Sequence, residues 1–325
     1  MMDQVIKDFP SQFLFKPELS IKTDLNKYKK YIVCGMGGSH LAADIIKNID
    51  PEVDLVIHSD YGLPHIPSDQ LDKCLFIFSS YSGNTEETID GYRVAKSKDL
   101  PRIVVTVGGI LLELAKKDKI PFIKIPNTGI QPRNALGYSF MALLSVMKKD
   151  AISKQAIKTA EELTLQMTNL NLQGKDLADE IAGFVPLIIA STRNYSLAYN
   201  WKIKFNETGK IPAFYNLIPE LNHNEMTGFD LSDNSRYLAD RFYILFLLDD
   251  LDHPKNRKRM EVLYQLYHEK RLPVKNIFLT GNNILVKVFS SLILADWTAY
   301  YLAKHFNHEA EKVPMVEEFK KRINH

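Results

Sequence analysis

The 325-residue chain holds only 2 cysteines, Cys34 and Cys74. Each lies inside a short apolar run that reads as a buried strand. So few thiols exclude a disulfide framework and fit a reducing cytoplasm. Long apolar runs are missing too. Runs such as Phe242–Leu248 fall far short of the ~20 residues of a spanning helix, so no membrane segment is predicted. The N-terminal stretch carries acids and lacks an apolar core followed by a small-residue cleavage site, so no secretory signal is read there. An excess of one charge is absent: 41 Lys and Arg face 39 Asp and Glu, a net +2. That balance gives none of the broad cationic field by which nucleic-acid binders are known. No low-complexity segment, short-period repeat or Walker-type loop is found.

What remains is an ordinary globular composition, 45% hydrophobic and 25% charged, in a chain long enough to predict two domains. The first half alternates strand-like and helix-like segments. Tyr31–Cys34, Leu55–His58, Cys74–Ser79, Ile103–Val107 and Phe122–Ile125 are short, rich in Val, Ile and Phe, and bounded by Gly, Pro, Ser or Asp. Helical patterns cover His40–Asn48, Glu86–Ser97 and Leu111–Lys117. Apolar runs without alternation predict strands covered on both faces, hence a parallel sheet flanked by helices. The second half follows suit, with strands at Phe184–Ala190, Tyr243–Leu248 and Asn276–Thr280. Its helices are read at Tyr195–Asn206, Pro254–Lys270, Leu285–Phe306 and Met315–Ile323. A polar-amphipathic helix over Ala151–Lys175 bridges the halves, so the α/β domains are read as 1–150 and 151–325.

Two glycine-bearing turns stand out. Gly35-Met36-Gly37-Gly38-Ser39 follows the first strand, where glycines allow close backbone approach and the next helix offers free N–H groups to an anion. A dinucleotide fingerprint would need glycine where His40 stands. The second, Ser79-Ser80-Tyr81-Ser82-Gly83-Asn84-Thr85-Glu86-Glu87-Thr88, follows the strand Cys74–Phe78. It sets the hydroxyls of Ser80, Ser82 and Thr85 around one glycine just before a helix. Such a turn can cap a helix or form a neutral hydrogen-bonding cup for a phosphomonoester. Composition alone leaves both readings open, and the pairing with the first turn favours the anion.

These turns, together with Pro132-Arg133-Asn134-Ala135-Leu136-Gly137-Tyr138, resemble the sugar isomerase (SIS) domain. Asn206-Glu207 followed by Lys210, and Pro219-Glu220-Leu221-Asn222-His223-Asn224-Glu225, extend the likeness. The whole resembles the bifunctional phosphoglucose/phosphomannose isomerase family of archaea and bacteria, in order along nearly the full chain. The resemblance implies tandem SIS domains, each a parallel sheet in a three-layer α/β/α arrangement, and a homodimer with a sugar phosphate held between the domains. It implies that Gly38, Ser39, Ser80, Ser82 and Thr85 hold the phosphate. Glu207 is implied as the base between C1 and C2, and His223 as the ring-opening group, reaching across from the partner subunit. Arg133 would stabilise the enediolate and Lys320 would contact the ring oxygens.

The chemistry suits these residue types. One carboxylate can carry a proton between adjacent carbons through a cis-enediol. A guanidinium steadies the developing negative charge, and a histidine near its ordinary pKa of ~6.5 suits ring opening. No metal or cofactor is required. Taken singly, Glu207 would pass for a solvated helix-end charge, His223 for a loop histidine and Arg133 for the partner of any acid. Two alternatives remain, a non-catalytic sugar-phosphate sensor and an isomerase of another aldose phosphate. A sensor has no use for a base at C2, and the residues before Tyr31 leave no space for a DNA-reading helix-turn-helix.

The sequence also departs from the family pattern. His40-Leu41-Ala42-Ala43-Asp44 puts an imidazole where small residues are usual, and Ala310-Glu311-Lys312-Val313-Pro314 keeps one proline of an Asp-Pro-x-Pro run. His305 and His308, three apart, lack a third ligand and read as a surface pair. Lys255, Arg257, Lys258 and Arg259 read as a solvated helix start, and Trp297, Tyr300 and Tyr301 as core or dimer contact.

Overall fold

The computed structural model describes residues 2–323. The chain divides into two compact units, Lys7–Thr164 and Leu165–His325 with Met1–Ile6. The division falls inside a 32-residue helix, Asp150–Ile181.

The first unit is built on five parallel strands: β1 (Lys30–Cys34), β2 (Asp54–His58), β3 (Cys74–Ser80), β4 (Arg102–Thr106) and β5 (Phe122–Lys124), in the order β2-β1-β3-β4-β5. Register is fixed by apolar residues on both neighbours of β1, Ile32 lying opposite Val56 and Phe76. Every residue of the central β3 is buried, because strand residues point alternately to the two faces and helices cover both. Ile32, Cys34, Phe76, Phe78 and Val104 meet Tyr92 and Ala95 of helix Glu86–Ser97 and Leu111 and Ala115 of helix Gly109–Lys117. Helices Leu41–Ile49 and Leu136–Val146 pack together, the first against β2 and the second against β4. Each buried phenylalanine here is worth about 3–5 kcal/mol against truncation to Ala. Both cysteines are free and buried, and burial pushes the Cys34 thiol up to about 12.

The second unit repeats the plan with β6 (Val185–Ser191), β7 (Phe214–Ile218), β8 (Phe242–Leu248) and β9 (Val274–Phe278), parallel in the order β7-β6-β8-β9. One face packs Leu187, Ile189, Ile244 and Phe246 against Met260, Leu263 and Tyr267 of helix Pro254–Glu269. Helix Tyr195–Glu207 packs on β6 and β7 and against helix Ile284–His305. Trp201 Nε1 donates to Ser291 Oγ at 3.0 Å, and Lys204 Nζ to Asp296 Oδ1 at 2.6 Å, both ends of the ion pair buried.

The α/β reading holds, and most expected strands fall within a residue or two of those observed. The strand β7 was not anticipated. It is an edge strand whose residues are mostly half-exposed, with Asn216 at its centre, so it shows no apolar run. One helix is passed over by a search for uninterrupted apolar runs. Helix Ile284–His305 is long and apolar enough to cross a bilayer. Its apolar window is 83% buried inside the protein. Its apolar character on all sides fits that burial. That helix ends at His305, so His305 and His308 do not share a helix face, and both are exposed.

Candidate active site

In the first unit the chain leaves β1 for β2 on one side and then crosses to β3 on the other. Loops that part in opposite directions open a crevice at the carboxyl ends of the strands, here between β1 and β3. Both glycine-bearing turns lie at this point.

The first turn runs from β1 through Gly37–Ser39 to helix Leu41–Ile49. A Cβ on Gly38 would stand 2.7 Å from the Arg133 nitrogen and 2.8 Å from the Pro132 carbonyl carbon, so only glycine lets these two turns touch. Ser39 is buried and staples the first turn to the second. Its Oγ accepts the Tyr81 N–H at 3.0 Å, and its carbonyl accepts Ser79 Oγ at 2.8 Å.

In the second turn Gly83 has φ +73°, and the Gly108 carbonyl fills the space a Cβ would need. Ser80 Oγ accepts the Gly83 N–H at 3.0 Å and lies 2.8 Å from Thr85 Oγ1. Ser82 Oγ accepts the Asn84 N–H at 3.2 Å, and Asn84 Oδ1 accepts the Ile110 N–H at 3.0 Å. Thr85 occupies the N-cap of helix Glu86–Ser97, yet its side chain makes no capping bond. Its hydroxyl pairs with Ser80 instead, so the capping alternative fails for this residue. The first-turn amides keep the partial positive charge that receives anions.

Arg133 completes the group from the 3₁₀ turn Pro132–Asn134, where only 2% of it is exposed. The turn is held by Gln12, a residue that no sequence motif singles out. Gln12 Nε2 donates to the Asn134 carbonyl at 2.7 Å, and its Oε1 accepts the Gly137 N–H at 3.0 Å and the Tyr138 N–H at 3.3 Å. No local motif betrays a glutamine that acts across more than a hundred residues. His40, the departure beside the first turn, is buried and lies with Nδ1 2.6 Å from Asp44 Oδ2. The structure thus brings Gly38, Ser39, Ser80, Ser82, Thr85 and Arg133 to one crevice.

In the second unit the remaining candidates lie on separate elements. Glu207 is half-buried and ends helix Tyr195–Glu207. Lys210 donates to the Glu207 carbonyl and to the Lys312 carbonyl, fixing the chain beyond the helix. Asn206 Nδ2 donates to the Ile211 carbonyl at 3.0 Å. His223 is exposed at the end of the 3₁₀ turn Glu220–His223, which follows β7. Its neighbours are tied down: Asn224 Nδ2 donates to Glu220 Oε1 at 2.8 Å, and Asn216 Nδ2 to Glu225 Oε2 at 2.6 Å. Lys320 is exposed on helix Pro314–Ile323, which has no buried residue. Among the described residues no three His, Cys, Asp or Glu side chains cluster as metal ligands do.

The comparisons with known proteins bear on both units. The profile of the bacterial phospho-glucose isomerase C-terminal SIS domain matches residues 171–323. The chain is 32% identical to a bifunctional phosphoglucose/phosphomannose isomerase of Caldicellulosiruptor bescii, over 94% of this chain and 92% of the relative. It is 33% identical to the protein of the same description from Thermoplasma acidophilum, over 91% and 90% respectively. Among solved structures, the tagatose-6-phosphate ketose/aldose isomerase of Escherichia coli shares the fold. The TM-score is 0.63 at 17% identity, covering 95% of this chain and 88% of that one. With two parallel α/β units, SIS motifs at a switch point and relatives alike over almost their whole length, the chain belongs to the bifunctional phosphoglucose/phosphomannose isomerase family.

Proposed function

We propose that the chain interconverts glucose 6-phosphate and mannose 6-phosphate with fructose 6-phosphate. The observation that carries this reading is the convergence of the family's phosphate and arginine motifs on the β1/β3 crevice, in a chain alike to such isomerases from end to end. The phosphate is taken by Ser39, Ser80, Ser82 and Thr85 with the backbone at Gly38, a neutral cup at a helix N-terminus.

His223 assists opening of the sugar ring. The Glu207 carboxylate then removes the C2 proton of the aldose, leaving a cis-enediol, and returns it to C1 to give the ketose. Arg133 steadies the negative charge of the intermediate, since a guanidinium keeps its charge at any working pH. Lys320 contacts the ring oxygens. C2 is planar in the enediol, so return of the proton to either face yields the glucose or the mannose epimer. One site therefore serves both aldoses.

The protein works as a homodimer in the cytoplasm, with His223 serving the partner's sugar. What supports the crossing is that His223 is exposed at the end of a 3₁₀ turn, where a second subunit can reach it. Mixing the Glu207→Gln and His223→Ala variants tests it. Subunit exchange restores about a quarter of wild-type activity if the histidine crosses, and nothing if it does not.

The primary test is turnover of fructose 6-phosphate, read as both aldose phosphates. Both products form, and Glu207→Gln lowers kcat by about 10²–10⁴-fold while sugar phosphate still binds. Binding without turnover in the wild type would make the protein a sensor. Turnover of another aldose phosphate alone would move the substrate.

A further inference from the structure

The second unit repeats the switch-point construction. The strand β6 leads through the 3₁₀ turn Thr192–Asn194 into helix Tyr195–Glu207, as β1 leads through Gly37–Ser39 into helix Leu41–Ile49. On the other side of the switch β8 runs through Asp249–His253 into helix Pro254–Glu269, as β3 runs through the Ser80–Thr85 turn into helix Glu86–Ser97. Two helix N-termini meeting at a switch point make a place that receives anions. In the first unit glycines and hydroxyls line it. In the second it holds Asp249 and Asp252, only 3% exposed each.

The partners of these carboxylates are those a phosphate would take. Asp249 Oδ2 accepts from the Arg193 guanidinium and from Asn194 Nδ2 at 3.2 Å. Its Oδ1 accepts the Leu251 N–H at 3.1 Å and lies 3.3 Å from Lys287 Nζ. Asp252 Oδ1 accepts Ser191 Oγ at 2.6 Å and Asn194 Nδ2 at 3.1 Å. A guanidinium, an ammonium, a carboxamide, a hydroxyl and a backbone amide thus converge on two buried acids. A planar carboxylate fills such a cradle only in part, and Asp252 Oδ2 is buried with no donor.

We infer that Asp249 and Asp252 are built-in occupants of an anion cradle in the second unit. They stand where a phosphate would sit and keep a second phosphomonoester out, and replacing both with serine opens a site for a tetrahedral oxyanion. In the present network Arg193 and Lys287 face three carboxylates, Asp249, Asp252 and the Lys287-bound Asp250. The double serine change leaves them facing one, so an excess of negative charge becomes an excess of positive charge. Serine also gives this cradle a hydroxyl lining like that of the first.

The test is equilibrium dialysis of the full chain against labelled inorganic phosphate at constant ionic strength. The wild type binds one equivalent per chain. Asp249→Ser with Asp252→Ser binds two, and Asp249→Asn with Asp252→Asn, which keeps the space filled, binds one. A folded double serine variant that binds no more phosphate than the wild type overturns the inference. If that variant folds only when phosphate replaces chloride, the inference is upheld. If it folds in neither salt, Asp252→Ser alone decides, through a gain or no gain in bound phosphate over the wild type. A wild type that binds none, beside a double serine variant that binds one, would count against the cradle in the first unit and leave this inference standing.

Discussion

Adding a methyl group at Gly38 probes how the crevice of the first unit is held. In Gly38→Ala the new Cβ meets the Arg133 nitrogen at 2.7 Å and the Pro132 carbonyl carbon at 2.8 Å. Both are backbone atoms, so no side chain can swing aside. Ordinary contact begins near 3.4 Å, so the turns 37–39 and 132–134 must part by about 0.7 Å. Overpacking of this kind costs about 1–3 kcal/mol, a fall in Tm of roughly 2–10 °C for a unit of this size. The larger effect falls on activity. The displaced turns carry Ser39 and Arg133, and a shift approaching 1 Å between the groups proposed to bind the phosphate and to stabilise the enediolate lowers kcat/KM by about 30–100-fold.

Gly37→Ala is the matched control. Gly37 has φ +50° with nothing within 4 Å of a built Cβ, so alanine there strains the backbone by about 1–2 kcal/mol and displaces nothing. The two variants lose similar stability, and only Gly38→Ala loses most of its turnover. Fructose 6-phosphate kinetics beside thermal melts read both quantities. Equal activity in the two variants would refute the argument that contact between the turns sets the site.

Three further outcomes are expected. Gln12→Ala leaves the Asn134 carbonyl and the Gly137 N–H without their buried partner, which costs about 1–3 kcal/mol in urea unfolding and lowers kcat/KM by loosening the Arg133 turn. A variant that unfolds earlier with unchanged kinetics would detach Gln12 from the site. Lys204→Met removes the cation paired with the buried Asp296 carboxylate and destabilises by about 3–5 kcal/mol, whereas Lys204→Met with Asp296→Leu recovers most of that loss in a double-mutant cycle. The Lys96 ammonium beside Asp118 holds its carboxyl below the ordinary carboxylate range. A depressed folded pKa gives stability that is present above the unfolded value of about 3.9 and is lost as pH falls through the folded value. Asp118→Asn therefore lowers the urea midpoint at neutral pH and flattens its decline on acidification.

The fold was legible wherever burial was two-sided. The strands β1, β3, β6 and β8 sit between neighbours and under helices, so nearly every residue had to be apolar, and their runs stand out in the sequence. At the edge of a sheet that pressure lapses. The strand β7 has one neighbouring strand, and its exposed Phe214 and central Asn216 obey neither periodicity nor composition. Helix Ile284–His305 is legible as a helix, and only its bilayer-length apolar character is hidden, for a different reason. Lys287 and Asp296 break its apolar run, yet both are buried in ion pairs, Lys287 with Asp249 and Asp296 with Lys204. A charge count made on sequence takes such residues for solvent-facing ones.

The two switch points show why a site can be legible in one unit and silent in the other. Glycine and clustered hydroxyls are unusual after a strand, and the constraints that demand them are local: a left-handed φ at Gly83, a backbone contact at Gly38 and a hydroxyl pair between Ser80 and Thr85. The corresponding segment of the second unit, Asp249-Asp250-Leu251-Asp252-His253, reads as an acidic loop before a helix, a common surface pattern. Its meaning depends on Arg193, Asn194 and Lys287, which reach it from other parts of the chain. Backbone demands leave a local spelling, whereas charge compensation is distributed over the fold. On that argument the proposed phosphate cradle of the first unit can be read from sequence, and the proposed filled cradle of the second only from the assembled network.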